Sequence, residues 1–540
     1  MTCAFNSATG CNQLTNPQAC PSGQLCDPTK KACVADPCAG IPTSGVCSGT
    51  TAVQYCAVPT GTGQPSVQSF TCPTGEQCQT INGQAACKLV AQCHDGDLVC
   101  ANVGQINTCQ KGAWVTTACT NGCVDSALGA FCTPNIAVTQ VSGTVQYDVI
   151  APKADLSDWD LSKSISVPAP GFLILSFSGK TVVGVTGTDV SGKFTVNIPA
   201  NPTSADFVGV LAAGTDGAAH LTYLVADPGF TAPGVQPQGT NGASPHAWSW
   251  KFPSSTISNG SILQITTAMG SGAARVFDYL DYAYLFAQAQ YGGQLGSSLI
   301  VWLGYDTSWN CGSCFMRTPS AQFGRKFDSQ IFLGGDTTDQ PFWSDAVTAH
   351  ELGHWVMASF GTSPHEGGPH YIGKTTFPGQ GWSEGWATWF SSDLRQDPIY
   401  YDKQQGSMFW WSLGKQTYRT QAFTLPNAAD GLLQLIDENE IAAMLWRLSS
   451  SGQNRDALLF AGLASAHMNI SPWPRGYTRH TWDYDQSSNF TNVVDTGESK
   501  PSFPDFLDAI DCAGFPTADI NAATVPATQY PYPSWSPICP

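Results

Sequence analysis

Residues 344–360 read SDAVTAHELGHWVMASF, and the rest of the chain is read outward from them. Ser344 or Asp345 can cap a helix start, and apolar residues fill most positions beyond, the pattern of a buried helix. On that helix His350 and His354 stand at i and i+4, so both imidazoles project from one face. Two imidazole nitrogens so placed can bind one Zn²⁺ at ~2.0–2.1 Å. Glu351 projects beside the metal, where a carboxylate can take a proton from zinc-bound water. The chain has nine histidines in 540 residues, so chance assembly of HELGH is on the order of one in a hundred or less. The competing account is a pair of hydrogen-bonded core histidines with an incidental glutamate. Gly353 costs about 1 kcal/mol mid-helix relative to alanine, which close backbone packing behind the metal would explain.

A third ligand must come from elsewhere. Met357 and Phe360 stand where the metzincin pattern needs glycine and histidine, which excludes that class. His365 and His370 lie in a Gly/Pro-rich loop and are minor candidates. GWSEGWATWFSSDL (381–394) fits better: it reads as a second helix, with Ser383 near its cap and Glu384 in its first turn. A carboxylate there completes a His₂Glu set and leaves a fourth position open for water.

HELGH (350–354) followed by EGWA (384–387) resembles the gluzincin metallopeptidases of the thermolysin-like clan, which pair an HExxH helix with a glutamate on a following helix. The resemblance covers roughly 260–450 and rests on four residues. It implies a zincin-type, mainly α (α+β) domain that hydrolyses peptide bonds, with His350, His354 and Glu384 as zinc ligands and Glu351 as general base. Two departures bear on it. Thirty positions separate His354 from Glu384, a longer interval than in thermolysin-like enzymes. The aspartate that often follows the ligand glutamate by four residues is Thr388, with Asp393 a weak substitute. For the oxyanion donor that peptide hydrolysis needs, the candidates are Tyr477 and His480 with Arg479 in PRGYTRHTWDYD, and Tyr484 after them. AARVFDYLDYAYLFAQAQYGG (273–293) has helical apolar spacing, SQIFLGG (329–335) is a candidate edge strand of a peptide-binding cleft or an ordinary paired strand, and ENEIAAMLWRL (438–448) reads as a helix that resembles one following the ligand glutamate in several gluzincins, its role the core in preference to catalysis.

Upstream, the composition changes. Seventeen of 21 cysteines fall in the first 132 residues, as an internal repeat. Cys38, Cys47, Cys56, Cys72, Cys78 and Cys87 form one six-cysteine set, and Cys93, Cys100, Cys109, Cys119, Cys123 and Cys132 form another. VCSGTTAVQYC matches VCANVGQINTC, and ACPSGQLCDPTKKAC matches the module endings. Modules this small must rely on disulfides, and six cysteines allow fifteen connectivities. The front module has five cysteines, as a trimmed mature form would. Cys311–Cys314 reads as a small-loop disulfide, and Cys512 with Cys539 as a staple of the Pro-rich tail.

From 136 to about 227 short alternating or apolar runs separated by Gly, Pro and Asp read as strands of an all-β sandwich. TVVGVTGTDVSGKFTVNIP (181–199) resembles transthyretin-like accessory domains that accompany secreted bacterial peptidases. Asp155, Asp158 and Asp160 in DLSDWD are a candidate Ca²⁺ loop or a solvated turn. The expected organisation is multidomain: disulfide-rich modules over 1–135, the sandwich over 136–230, a linker over 231–246, and the zinc domain over 247–540.

Only 12% of residues are charged and the net charge is −17. Such a surface repels nucleic acid and anionic lipid, and no run approaches the ~20 apolar residues of a membrane span. Cysteine usage points to a secreted or cell-surface protein. The favoured expectation is a secreted zinc endopeptidase acting on peptides or proteins, its cysteine modules binding a surface or matrix partner or serving as a stalk. The alternatives are an adhesive or structural protein with a vestigial zinc fold, and a zinc hydrolase of a non-peptide bond.

Overall fold

The computed structural model describes 98–110, 113–124, 129–215, 221–229, 245–323, 325–364, 378–419, 437–469 and 501–528, with short pieces elsewhere, including 368, 370–374 and strand segments before residue 98. The chain divides into two compact units, Met1–Asp97 with Asn107–Thr116, and Leu98–Ile106 with Thr117–Pro540.

In the first unit the described segments are short antiparallel strands. Gln24–Asp27 pairs with Ala32–Ala35, and Glu76–Ile81 with Gln84–Leu89. In each hairpin the last two cysteines of a module face one another, Cys26 opposite Cys33 and Cys78 opposite Cys87. In the second unit Cys123 faces Cys132 in the same way. Among the described residues the cross-links join Cys47 to Cys78, Cys100 to Cys123 and Cys119 to Cys132, so neither Cys78 nor Cys123 is bonded to the cysteine it faces. The second cysteine of a module thus binds the fifth in two successive modules, a choice that spacing alone left open. Cys512 is disulfide-bonded, and Cys539 lies outside the described residues.

The rest of the second unit starts with strands β1 (Val138–Val149), β2 (Ile165–Pro168), β3 (Leu173–Ser178), β4 (Thr181–Gly187), β5 (Lys193–Pro199) and β6 (Phe207–Leu211). Along β5, Phe194, Val196 and Ile198 are buried while Lys193, Thr195 and Asn197 are exposed, the alternation of a half-buried strand. Next come β7 (Ala213–Thr215), β8 (Leu221–Asp227), β9 (His246–Ala247), β10 (Ser249–Pro253) and β11 (Ser261–Ile265). One sheet pairs β1 antiparallel with β2 and β5 and parallel with β11. The facing sheet runs β4-β3-β6-β10. The expected sandwich strands are present, but the expected boundary at 231–246 separates no sheets. β10 and β11, from beyond it, complete the two sheets of the sandwich.

β8, from before that boundary, leaves for a third sheet. There it lies parallel to β12 (Leu299–Trp302), which lies parallel to β14 (Ser329–Phe332). β13 (Cys314–Met316) pairs antiparallel on the far side of β14. β8 is buried at five consecutive positions, Thr222 to Ala226, as an inner strand covered on both faces is. Periodicity cannot assign such a run to one sheet or another. The cleft's edge strand is therefore β13, not the 329–335 segment, which is paired on both sides.

Helices α1 (Ser271–Gln290), α2 (Asp345–Phe360), α3 (Pro378–Arg395), α4 (Glu438–Ser449), α5 (Arg455–Leu463), α6 (Phe503–Cys512) and α7 (Thr517–Thr528) complete the unit, with a four-stranded sheet β15 (Ile399–Gln404), β16 (Ser407–Ser412), β17 (Thr417–Tyr418) and β18 (Gln421–Ala422) between α3 and α4. α3 starts at Pro378, earlier than expected, which places Glu384 in its second turn and Ser383 inside the helix rather than at its cap. It is buried without a break from Gly379 to Leu394, with Trp382, Trp386 and Trp389 fully enclosed. One apolar core runs from Val141 in β1 to Ala523 in α7.

Asp155, Asp158 and Asp160 do not converge on a cation. Asp155 accepts from Ser157, Asp160 from Ser162, and Asp158 is paired with the Lys403 ammonium at 2.8 Å. No calcium donor cluster involves them among the described residues.

Asp393 is buried in α3, with Oδ2 lacking a hydrogen-bond partner among the described residues. Burial, then the Asp456 carboxylate, push its carboxyl up to about 7, against ~3.9 in an unfolded chain. The folded state therefore holds this proton more tightly than the unfolded one. Asp393 weakens the fold progressively as pH rises from ~4 through 7, with the full penalty above that. Asp393→Asn should raise the melting temperature at pH 8 and change it little at pH 4. An unchanged difference across thermal melts at both pH values would refute this assignment.

Candidate metal centre

α2 is set in place at its start. The Ser344 hydroxyl caps it, accepting from Val347 N–H at 3.2 Å and donating to the Tyr401 carbonyl at 2.6 Å. Asp345, in the first turn, binds the Arg275 guanidinium of α1 through both oxygens at 2.8 and 2.6 Å. A carboxylate there also complements the positive end of the helix.

From this helix His350 and His354 turn towards α3, where Glu384 meets them. Glu384 Oε2 lies 3.1 Å from His350 Nε2 and 3.0 Å from His354 Nε2, and the two Nε2 atoms are 3.2 Å apart. The other edge of each ring is occupied: His350 Nδ1 by Thr388 Oγ1 at 3.0 Å, and His354 Nδ1 by Ser383 Oγ at 3.1 Å. Among the described residues these three side chains form the one group able to hold a metal ion. A tetrahedral ion with bonds of ~2.0–2.1 Å sets its donors about 3.3 Å apart, so the three atoms need spread only slightly. Two imidazoles and one carboxylate, backed by hydrogen bonds and open on the fourth side, suit Zn²⁺.

Gly353 explains how close the helices come. A methyl group there would lie 2.7 Å from Ala387 Cα and 3.1 Å from the Ala387 carbonyl oxygen, so the backbone of α3 occupies the space a side chain needs. This is the close packing expected behind the metal.

Glu351 stands beside the three donors. It is buried, and its Oε2 has no hydrogen-bond partner among the described residues. Burial raises its pKa, against the pull of His350 and His354. Burial would also raise Glu384, but His370 and His354 outweigh it and hold that carboxyl well below its ordinary value.

Two cavities of about 900 and 770 Å³ share Gly312, Ser313, His350, Glu351 and His370 as walls, so the cleft extends to both sides of the centre. Cys311–Cys314, a disulfide as expected, forms part of the rim next to β13. Tyr400, Phe409 and Trp411 of β15 and β16 line the larger cavity, and the Tyr400 ring centroid lies 5.9 Å from that of His350.

Sequence reasoning missed the surroundings of the ligands. Thr388, four residues after Glu384 and so on the same face, is the group that meets His350. Its hydroxyl donates to Glu438 Oε1 at 3.0 Å. Glu438 Oε2 is bound at 2.6 Å to His370 Nδ1, and His370 Nε2 is 3.6 Å from Glu384 Oε2. Burial disfavours charge on His370, but Glu384 and Glu438 outweigh it and push it up to about 10. His370 thus borders the cleft without joining the three donors, and 438–448 contributes Glu438 to the site as well as apolar residues to the core. Asp393 does not reach His350, for its carboxylate neighbours Asp456. His365, Tyr477, Arg479, His480 and Tyr484 lie outside the described residues.

Residues 302–469 match the family described as the Mycolysin C-terminal domain. The matched stretch holds HELGH, EGWA and Glu438, and the likeness points to a protease of the mycolysin or thermolysin type. No curated protein matches the chain.

Gly353→Ala should cost ~1–3 kcal/mol by overpacking, more than the roughly 1 kcal/mol that alanine's helix propensity returns. The variant is expected to melt lower and bind zinc more weakly. A melting temperature at or above the parent's would show that the helices have room there.

Proposed function

We propose that the chain is a secreted zinc-dependent endopeptidase. The observation that carries this reading is the convergence of His350, His354 and Glu384 on one point beside Glu351, whose Oε2 has no partner among the described residues, at the meeting of two cavities. A zinc ion held there would polarise the scissile carbonyl and lower the pKa of a water. Glu351 accepts the water's proton and returns it to the leaving amine, and its burial raises its basicity for that task. An extended substrate pairs its main chain with the exposed edge of β13, and Tyr477 and His480 are the proposed donors to the oxyanion. The disulfides suit an oxidising compartment, and no described helix is long and apolar enough to cross a membrane. The cysteine modules act as a binding array or spacer outside the cell.

Metal content and casein cleavage, measured on the full chain and on Glu351→Gln, test the reading. Both proteins should hold one zinc, and the variant should lose activity by about 10²–10⁴-fold. A parent that takes up no zinc on reconstitution would remove the metal centre, and an equally active variant would remove Glu351 as the base.

A further inference from the structure

Glu438 connects two histidines of the cleft, His350 through the Thr388 hydroxyl and His370 directly. It is the first residue of α4, which starts there because Asp437 Oδ1 caps the Asn439 and Glu440 amides at 3.0 and 3.2 Å. Gly385 lets α4 come this close to α3: a methyl group on it would stand 2.5 Å from Ile441 Cγ2 and 3.2 Å from the Glu438 carbonyl oxygen. The Glu438 side chain is buried, with each carboxylate oxygen given a separate partner, Thr388 on Oε1 and His370 on Oε2.

The direction of these hydrogen bonds follows from what each group can donate. A threonine hydroxyl has one hydrogen. Thr388 donates it to Glu438, so towards His350 its oxygen can only accept, and His350 Nδ1 must carry the hydrogen. In the neutral imidazole this leaves Nε2, which faces Glu384 and His354, as the bare nitrogen, the tautomer a metal ligand requires. On the other branch Glu438 takes His370 Nδ1, which leaves Nε2 facing Glu384 Oε2 at 3.6 Å. The loop carrying His370 is tied to α4 a second time, by Gly373 N–H donating to Asn439 Oδ1 at 2.6 Å.

We propose that Glu438 is a positioning residue shared by two histidines: through the Thr388 hydroxyl it sets the tautomer and aim of the ligand His350, and directly it holds His370 in the wall of the cleft beside Glu384. This rests on the zinc-peptidase reading and adds to it a single buried carboxylate that couples metal affinity to the arrangement of the cleft wall. The arrangement replaces a direct carboxylate–histidine contact by a relay, because Thr388 offers a neutral hydroxyl and the charge has to come from Glu438 behind it.

The test uses the full chain and its Thr388→Val, Thr388→Ser and Glu438→Gln variants. Zinc affinity is read by competition with a chromophoric chelator, and kcat and KM on fluorescein-labelled casein at saturating zinc. Thr388→Val keeps the shape and removes the relay, and should weaken zinc binding by roughly 10- to 100-fold. Thr388→Ser should restore it. Glu438→Gln should weaken zinc binding to a similar degree, with no further loss in the double variant with Thr388→Val. At saturating zinc it should also lower kcat more than Thr388→Val does, since it alone releases His370. If Glu438→Gln fails to fold, the valine and serine variants decide. A parent that binds zinc alongside a Thr388→Val variant that binds it equally well overturns the inference, and so does equal loss in the valine and serine variants. A parent that binds none overturns the zinc reading instead.

Discussion

The structure depends on how closely α2 and α3 approach each other. Three donor atoms on two helices come within 3.2 Å of one another only if the helix backbones nearly touch. Gly353 permits that on α2, and the backbone of Ala387 fills the space it leaves. Once α3 is drawn against α2 on one side and α4 on another, it has no face left for solvent. This is why a helix with serines, a threonine and an aspartate on its surface is buried throughout, its three tryptophans filling the gaps towards α5 and α6.

The same proximity sets an electrostatic problem. Glu351, Glu384 and Glu438 are all buried around His350, His354 and His370. Desolvation penalises every charge there, and only pairing offsets it. Glu384 and Glu438 are paired with histidines. Glu351 is the exception, a buried carboxylate with one oxygen that has no hydrogen-bond partner among the described residues. Leaving it unpaired costs stability, and an arrangement that keeps a proton acceptor available beside a metal position is the kind of cost a reactive site carries.

The helices are held in turn by the β-structure. Tyr147 of β1 donates to Asp278 of α1, and Arg275 of α1 binds Asp345 at the start of α2. Tyr223 of β8 donates to Asp281 of α1 at 2.5 Å. The sandwich and the helices thus share a core, and a chain of polar contacts runs from β1 to the helix that carries His350. Read along the sequence, 231–246 is a break in composition. In space, the strands either side of it pair with each other, because a sheet needs neighbours in space and not in sequence.

HELGH and EGWA were legible because metal chemistry demands particular residue types at helical spacing, and that spacing is local. His350, His354 and Glu384 could therefore be named from the chain alone as a group the fold would bring together, as could the strands whose alternation is written in β5. The cysteine repeat was legible for the same reason, although which cysteine binds which was not. What only the tertiary structure decided are the contacts between segments distant in sequence. Glu438 lies 50 residues from Thr388 and 68 from His370, and nothing in an acidic helix start distinguishes a cap from a partner of a distant threonine and histidine. β8 belongs to the third sheet and β13 is the edge strand, for pairing depends on which backbone comes alongside. Local spacing carries the candidate ligands; the groups that touch them are brought there by packing.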